Sequence, residues 1–147
     1  MTTEKSDLAF AFFDAGFSCS QAVFSAFSRD FGLDRETSLR ISQPFGGGMA
    51  HMGEACGAVT GAFMVIGLKY GRTKPEDLEA KERTYAKMRQ FSDRFRALHG
   101  DSIRCPALIG VDLGTEKGMG IAHEKDLFKS ICSKLVEDAA TVLEEIL

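Results

Sequence analysis

Apolar side chains recur along this chain every three, four or seven residues, the spacing that places them on one face of a helix. The first such stretch runs from Ser6 to Phe31, with Phe10, Phe13, Phe17, Phe24, Phe27 and Phe31 on the repeat. Gly16 and Ser18 interrupt it and predict two helices, the second starting near Cys19. Asp34 is a capping residue for a short helix that must end before Pro44. Phe45-Gly46-Gly47-Gly48-Met49, continuing to Gly53, reads as a loop with a tight chain reversal. From Cys56 a compact segment follows, Gly57 to Leu68, which is apolar nearly all round. It predicts a helix from Cys56 to about Tyr70 at the centre of the fold. Glycine in a helix costs about 1 kcal/mol against alanine. Gly57 and Gly61, four apart in that helix, therefore point to a close approach by another backbone.

Thr73 with Glu76 three residues on, and Pro75 between, predicts a capping box. The long helix after it carries Leu78, Tyr85, Met88, Phe91, Phe95 and Leu98 on one face and ends at Gly100. A helical turn begins at Cys105-Pro106, with Cys105 as its cap. Gly110 to Gly120 reads as a loop. The last helix covers Glu124 to Leu147, with Phe128, Ile131, Leu135, Ala139, Val142 and Ile146 facing inward. Alternating apolar and polar runs are missing, so no strand is expected. The prediction is an all-α, single-domain bundle of five or six helices spanning 1–147.

Composition changes this picture little. The 147 residues are 44% hydrophobic and 27% charged, enough for a buried core and a wet surface. Net charge is −3 with Lys and Arg scattered, which argues against nucleic acid or an anionic membrane as partner. The span Gly57 to Leu68 falls short of the roughly 18–20 apolar residues that cross a bilayer, so the protein is not expected to be membrane-embedded. The opening Met1-Thr2-Thr3-Glu4-Lys5-Ser6-Asp7 is polar and does not resemble a secretory leader. The expected setting is the cytoplasm, where structural disulfides are uncommon. The Gly57 and Gly61 face fits either internal packing, which is favoured, or a homodimer contact.

The four cysteines, Cys19, Cys56, Cys105 and Cys132, are far apart in sequence and form no CxxC or zinc-ribbon spacing. Free cysteine often behaves as a small buried hydrophobe, so a non-catalytic helical interaction protein with structural thiols is one reading. Position favours another. Cys19, Cys56 and Cys105 each fall at a predicted helix start, where free N–H groups and the helix dipole favour an anion. Such a setting lowers a thiol pKa and stabilises the thiolate that attacks disulfides or ligates metal. Cys132 is mid-helix and points to the core, as a fourth ligand, a resolving thiol or packing.

The stretches Phe45-Gly46-Gly47-Gly48-Met49, Cys56-Gly57-Ala58-Val59-Thr60-Gly61-Ala62 and Ile66-Gly67-Leu68-Lys69-Tyr70-Gly71 resemble the C-GCAxxG-C-C family. Cys19 within Gly16-Phe17-Ser18-Cys19-Ser20-Gln21-Ala22-Val23 matches the first family cysteine. Cys105, opening Cys105-Pro106-Ala107-Leu108-Ile109-Gly110-Val111-Asp112-Leu113, matches the third, and Cys132 the fourth. The resemblance covers nearly the whole chain and implies a redox role. Some members are similar to haem-bearing split-Soret cytochromes, but this chain has no CxxCH for covalent haem.

The expectation is four cysteines meeting in one site, acting either as reversible disulfides or as ligands of an iron–sulfur cluster or another thiolate-bound metal. Cys56 is the favoured key residue and Cys19 its partner, serving an unidentified redox partner as enzyme or electron carrier. Gly46, Gly47, Gly48 and Gly57 are the expected backbone contacts of that site, through amides that donate to sulfur as they do around iron–sulfur clusters. No Lys-Ser or Lys-Thr follows the glycines, so a phosphate loop is excluded. His51, His99 and His123 share no ligand spacing; His51, beside the glycine run, is the candidate to ligate a metal or assist a thiol. No Gly-x-Ser-x-Gly elbow or paired carboxylate supports hydrolysis.

Overall fold

A computed structural model describes residues 3–147; Met1 and Thr2, part of the polar opening, lie outside the described residues. Among the described residues eight right-handed α-helices follow one another, not five or six, besides a left-handed turn at Gly46–Met49: α1 Glu4–Asp14, α2 Cys19–Ser28, α3 Arg35–Ser42, α4 Gly57–Tyr70, α5 Leu78–Leu98, α6 Cys105–Ile109, α7 Glu116–Glu124 and α8 Ser133–Ile146. A single antiparallel bridge, Ala55 with Arg104, is the sole β pairing among the described residues. Among the described residues no helix is long and apolar enough to cross a membrane.

The break between α1 and α2 falls at Gly16 and Ser18. Ser18 caps α2 through its side chain, which accepts from the Gln21 N–H, while the Gln21 side chain accepts from the Ser18 N–H. α1 packs on α2 and α8, α2 on α4, and α5 on α4 and α8. Phe24, Phe27, Val59, Ile66, Phe91, Phe95, Val136 and Leu143 fill the space between them. The phenylalanine repeat is not buried throughout, since Phe10 remains 39% exposed. In α5 the inward face is confined to Phe91 and Phe95, with Met88 half-buried. Leu78 at 61%, Tyr85 at 47% and Leu98 at 58% are exposed, so the expected apolar face is buried only in the middle of the helix.

The helix α3 has almost no hydrocarbon to bury and is held by hydroxyls instead. Ser28 and Ser38 share a 2.6 Å hydrogen bond, and Ser42 Oγ donates to the Ser38 carbonyl at 2.7 Å. Ser20 Oγ donates to the Ser42 carbonyl at 2.7 Å, and Gln21 Nε2 to the Leu39 carbonyl at 3.0 Å. Buried polar groups are tolerated only when paired in this way.

Three boundaries differ from the sequence expectation. The cap of α5 is Asp77, whose side chain accepts from the Ala80 N–H at 3.1 Å, rather than the Thr73 and Glu76 box. The 110–120 segment is not all loop: α7 starts at Glu116, capped by Thr115, whose hydroxyl accepts from the Gly118 N–H. Its glycines hide it by propensity, yet Gly118 is required there, since a Cβ would stand 1.8 Å from the Asp112 carbonyl oxygen. The final helix does not run unbroken from Glu124. Asp126 turns left-handed at φ 52, and a π-helical turn, Phe128–Cys132, leads into α8.

Gly61 lets α4 lie directly on α2. A Cβ there would meet the Ser20 carbonyl oxygen at 2.9 Å and Val23 Cβ at 3.3 Å. Internal packing is therefore what this face does within the chain. The backbone oxygen cannot yield, so Gly61→Ala should lower stability by about 1–2 kcal/mol despite its better helix propensity. Gly67 in the same helix has nothing within 4 Å of its missing Cβ. Gly67→Ala should raise stability by about 0.5–1 kcal/mol. Thermal melts of the pair check both signs.

Candidate functional site

The α2–α4 approach sets the position of two sulfurs. Cys19 is the first residue of α2 and Cys56 the cap of α4. A Cβ on Gly57 would stand 2.4 Å from Cys19 Sγ and 3.0 Å from the Ser20 nitrogen. The missing side chain is thus the space that the Cys19 sulfur occupies. In that position Cys19 accepts a hydrogen bond from the Cys56 thiol.

A left-handed turn supplies a further donor. Gly47 (φ 68), Gly48 (φ 72), Met49 (φ 61), Ala50 (φ 55) and His51 (φ 65) all occupy the left-handed region. The turn closes on a 2.9 Å bond from the Ala50 N–H to the Gly46 carbonyl. Left-handed helix costs roughly 1–2 kcal/mol for each non-glycine residue, so Met49, Ala50 and His51 store strain here. What it secures is the direction of the Gly47 N–H, which donates to the Cys19 sulfur.

The same turn locates Cys105. Gly48 lies so close beneath it that a Cβ would be 2.7 Å from Cys105 Cβ. The Ala55 and Arg104 bridge fixes the two cysteines beside it: Cys56 N–H donates to the Ile103 carbonyl at 2.7 Å, and Cys105 N–H to the Glu54 carbonyl at 2.9 Å. Cys105 is the first residue of α6 and Arg104 the cap, one position from the sequence expectation, with Pro106 second in the helix. Cys132 ends the π-helical turn, a distortion that is frequent at functional sites.

All four cysteines line one cavity of about 480 Å³, with Gly46, Gly47 and Gly57 also in its wall. Gly48 is buried against Cys105 rather than lining it. Gln43, Pro44, Ala50 and His51 are exposed and form its mouth. Ser18, Phe13, Ile109, Leu113, Phe128 and Leu135 complete the lining. The sequence marked Phe13, Phe128 and Leu135 as helix-face core and none of the five apolar residues as site residues, because they are ordinary hydrophobes on separate elements. His99 lies elsewhere, at the end of α5 beside Asp138 at 2.9 Å.

The four thiols are not equivalent. The Cys56 hydrogen bond, opposed by burial and aided by the Gly47 and Ser20 amides, lowers Cys19 to about 6. Cys56 is pushed well above the ordinary thiol range, first by donating to Cys19 and then by burial. Burial followed by the charge on Cys19 raises Cys105 to about 11 and Cys132 to about 12. The sequence favoured Cys56 as the key residue with Cys19 as its partner; the two are coupled in the structure, with the lowering on Cys19 and the raising on Cys56. The sulfurs are free thiols. Among the described residues no three His, Cys, Asp or Glu side chains converge tightly enough to hold one metal ion.

Filling the Gly57 notch should separate the sulfur pair. Gly57→Ala is expected to slow iodoacetamide alkylation of Cys19 at pH 7 by roughly tenfold, as the thiolate fraction falls toward that of an ordinary thiol. Peptide mass mapping of the alkylated protein reads this directly.

No curated protein matches this chain, and no solved structure does. The match that was found is to a family and takes in all four cysteines: residues 17–146 fit the family described as "Putative redox-active protein (C_GCAxxG_C_C)", and the chain belongs to that family.

Proposed function

We propose that the protein is a thiol–disulfide redox protein in which Cys19 is the attacking sulfur and Cys56 the resolving one. The observation that supports this reading is geometric: the Gly57 notch seats the Cys19 sulfur against the start of α4, beside Cys56 in the wall of the four-cysteine cavity, and the coupling of the pair lowers Cys19 and raises Cys56. That division of labour is what disulfide exchange requires. The Cys19 thiolate attacks one sulfur of a substrate disulfide. A Cys19–substrate bond forms, the substrate S–S bond breaks, and the departing thiolate takes the Cys56 proton. Cys56 then attacks Cys19 Sγ, giving a Cys19–Cys56 disulfide and the second substrate thiolate. The substrate gains two electrons and the cysteine pair loses two; a dithiol donor restores the pair. In the cytoplasmic setting expected from the sequence, reducing dithiols are the ordinary donors.

A second reading keeps all four cysteines as ligands of a metal or an iron–sulfur cluster. It is supported by their placement around one cavity. Such a centre would need the sulfurs to draw together, given that no three ligating groups converge as they stand. Metal analysis of anaerobically purified protein separates the two: stoichiometric iron or zinc, lost from each single cysteine variant, would replace the disulfide reading.

The disulfide reading expects the Cys19 alkylation rate to rise with pH to a plateau, with its midpoint near the lowered value of about 6. A lowered thiol pKa puts the thiolate in place above that pH and loses it below. Cys56→Ala should move the midpoint up toward about 8.5, the ordinary thiol value, so the reactivity between pH 6 and 8 disappears. Cys56→Ser should trap a Cys19 mixed disulfide with an added disulfide reagent, visible as a mass increase. Cys105→Ser and Cys132→Ser should still form the Cys19–Cys56 bond.

A further inference from the structure

The cavity that presents Cys19 carries no Lys, Arg, Asp or Glu in its wall. Its one ionisable group besides the thiols is His51, at the exposed mouth. A carboxylate entering it would lose hydration and meet no cation but His51 at the mouth, which is strongly unfavourable, and an ammonium group would have the Cys19 thiolate as the single charge to replace its water. A polar peptide disulfide bearing carboxylates therefore finds no partner there.

A second cavity of about 480 Å³ adjoins the first and shares Phe13, Ser18 and Phe128 with it. Phe10, Phe13, Phe17 and Phe128 line this outer trough, and the exposed Asp14 and Lys129 stand on it as one charge of each sign. Ser18, the cap of α2, is the residue next to Cys19 and lies on the boundary between the two spaces. The two cavities form an apolar path with the attacking sulfur in its inner half. Largely apolar concavities of this size with a few placed polar groups are the usual form of small-molecule sites.

We infer that the substrate of Cys19 is a small uncharged disulfide with aromatic or similarly apolar substituents, one arm in the inner cavity and the other in the Phe10, Phe13, Phe17 and Phe128 trough. The inference rests on the disulfide-exchange reading above and adds the chemical class to it. The bond changes are those already given: the substrate S–S bond breaks as the Cys19–substrate bond forms, and a dithiol later returns the electrons.

Stopped-flow kinetics of the reduced, full-length chain test this with three reagents. They are 4,4′-dithiodipyridine, uncharged and aromatic at pH 8; 5,5′-dithiobis(2-nitrobenzoate), aromatic with two carboxylates; and cystamine, a dication. Each rate is divided by the rate of the same reagent with a small uncharged thiol, which removes intrinsic electrophilicity. The expected result is a normalised rate for the uncharged reagent at least about tenfold above both charged ones. Selection by the thiolate's field alone would instead favour cystamine, and that order overturns the inference. Phe10 is partly exposed, so Phe10→Ser should fold. It is expected to slow the uncharged reagent severalfold while iodoacetamide alkylation of Cys19 is unchanged; an unaltered reagent rate overturns the use of the trough. Equal normalised rates with a Cys19–Cys56 disulfide formed each time sink the substrate class and leave the exchange reading standing. Absence of that disulfide with every reagent sinks both.

Discussion

Everything distinctive about this molecule depends on how closely two helices approach. The contact of α2 with α4 over Gly57 and Gly61 brings backbone to within touching distance, and only at that spacing can the Cys56 thiol reach the Cys19 sulfur. A sulfur hydrogen bond is weak by itself. It matters here because it acts on a charged acceptor in a partly dry wall, where charge-assisted bonds gain strength. The same approach places the start of α2 against the left-handed turn, so amide dipoles and the thiol act on one sulfur together. The cost is visible elsewhere, in two glycines that weaken α4 and three side-chain-bearing residues held in the left-handed region.

The remaining cysteines make sense relative to that centre. Cys105 is tied to the Cys56 backbone through the Ala55 and Arg104 bridge. Cys132 ends the π-helical turn, where it belongs to the buried core and also lines the cavity. Both stay protonated because burial and a neighbouring negative sulfur act in the same direction. The wall therefore sets four thiols in unlike surroundings, with Cys19 lowered and Cys56, Cys105 and Cys132 raised.

Much of this was legible in the sequence. The helical period, the break at Gly16 and Ser18, and the meaning of Gly57 and Gly61 follow from spacing and from what glycine costs in a helix. Three cysteines at predicted helix starts, together with the family resemblance, pointed to a shared site, and all four line one cavity. Other features were hidden for physical reasons. Gly118 and Gly120 argue against a helix by propensity, yet α7 forms because the Asp112 carbonyl fills the place of a Cβ at Gly118. Met49, Ala50 and His51 have no local preference for positive φ; surrounding contacts impose it. The assignment of the thiolate to Cys19 depends on which sulfur donates to the other, and sequence spacing has no access to that direction. The wall residues Phe13, Leu113 and Phe128 are unremarkable hydrophobes until the fold brings them together.

The serine seam under α3 has a thermal consequence. Attraction between hydrocarbon surfaces fades on cooling, so the contacts of α1, α4, α5 and α8 lose strength toward 0 °C. The hydroxyl ladder from Ser20 through Ser42, Ser38 and Ser28 draws its cohesion from enthalpy and does not share that loss. The helix leading into Gln43 and Pro44 at the cavity mouth is thus the part of the bundle whose attachment is least sensitive to cold.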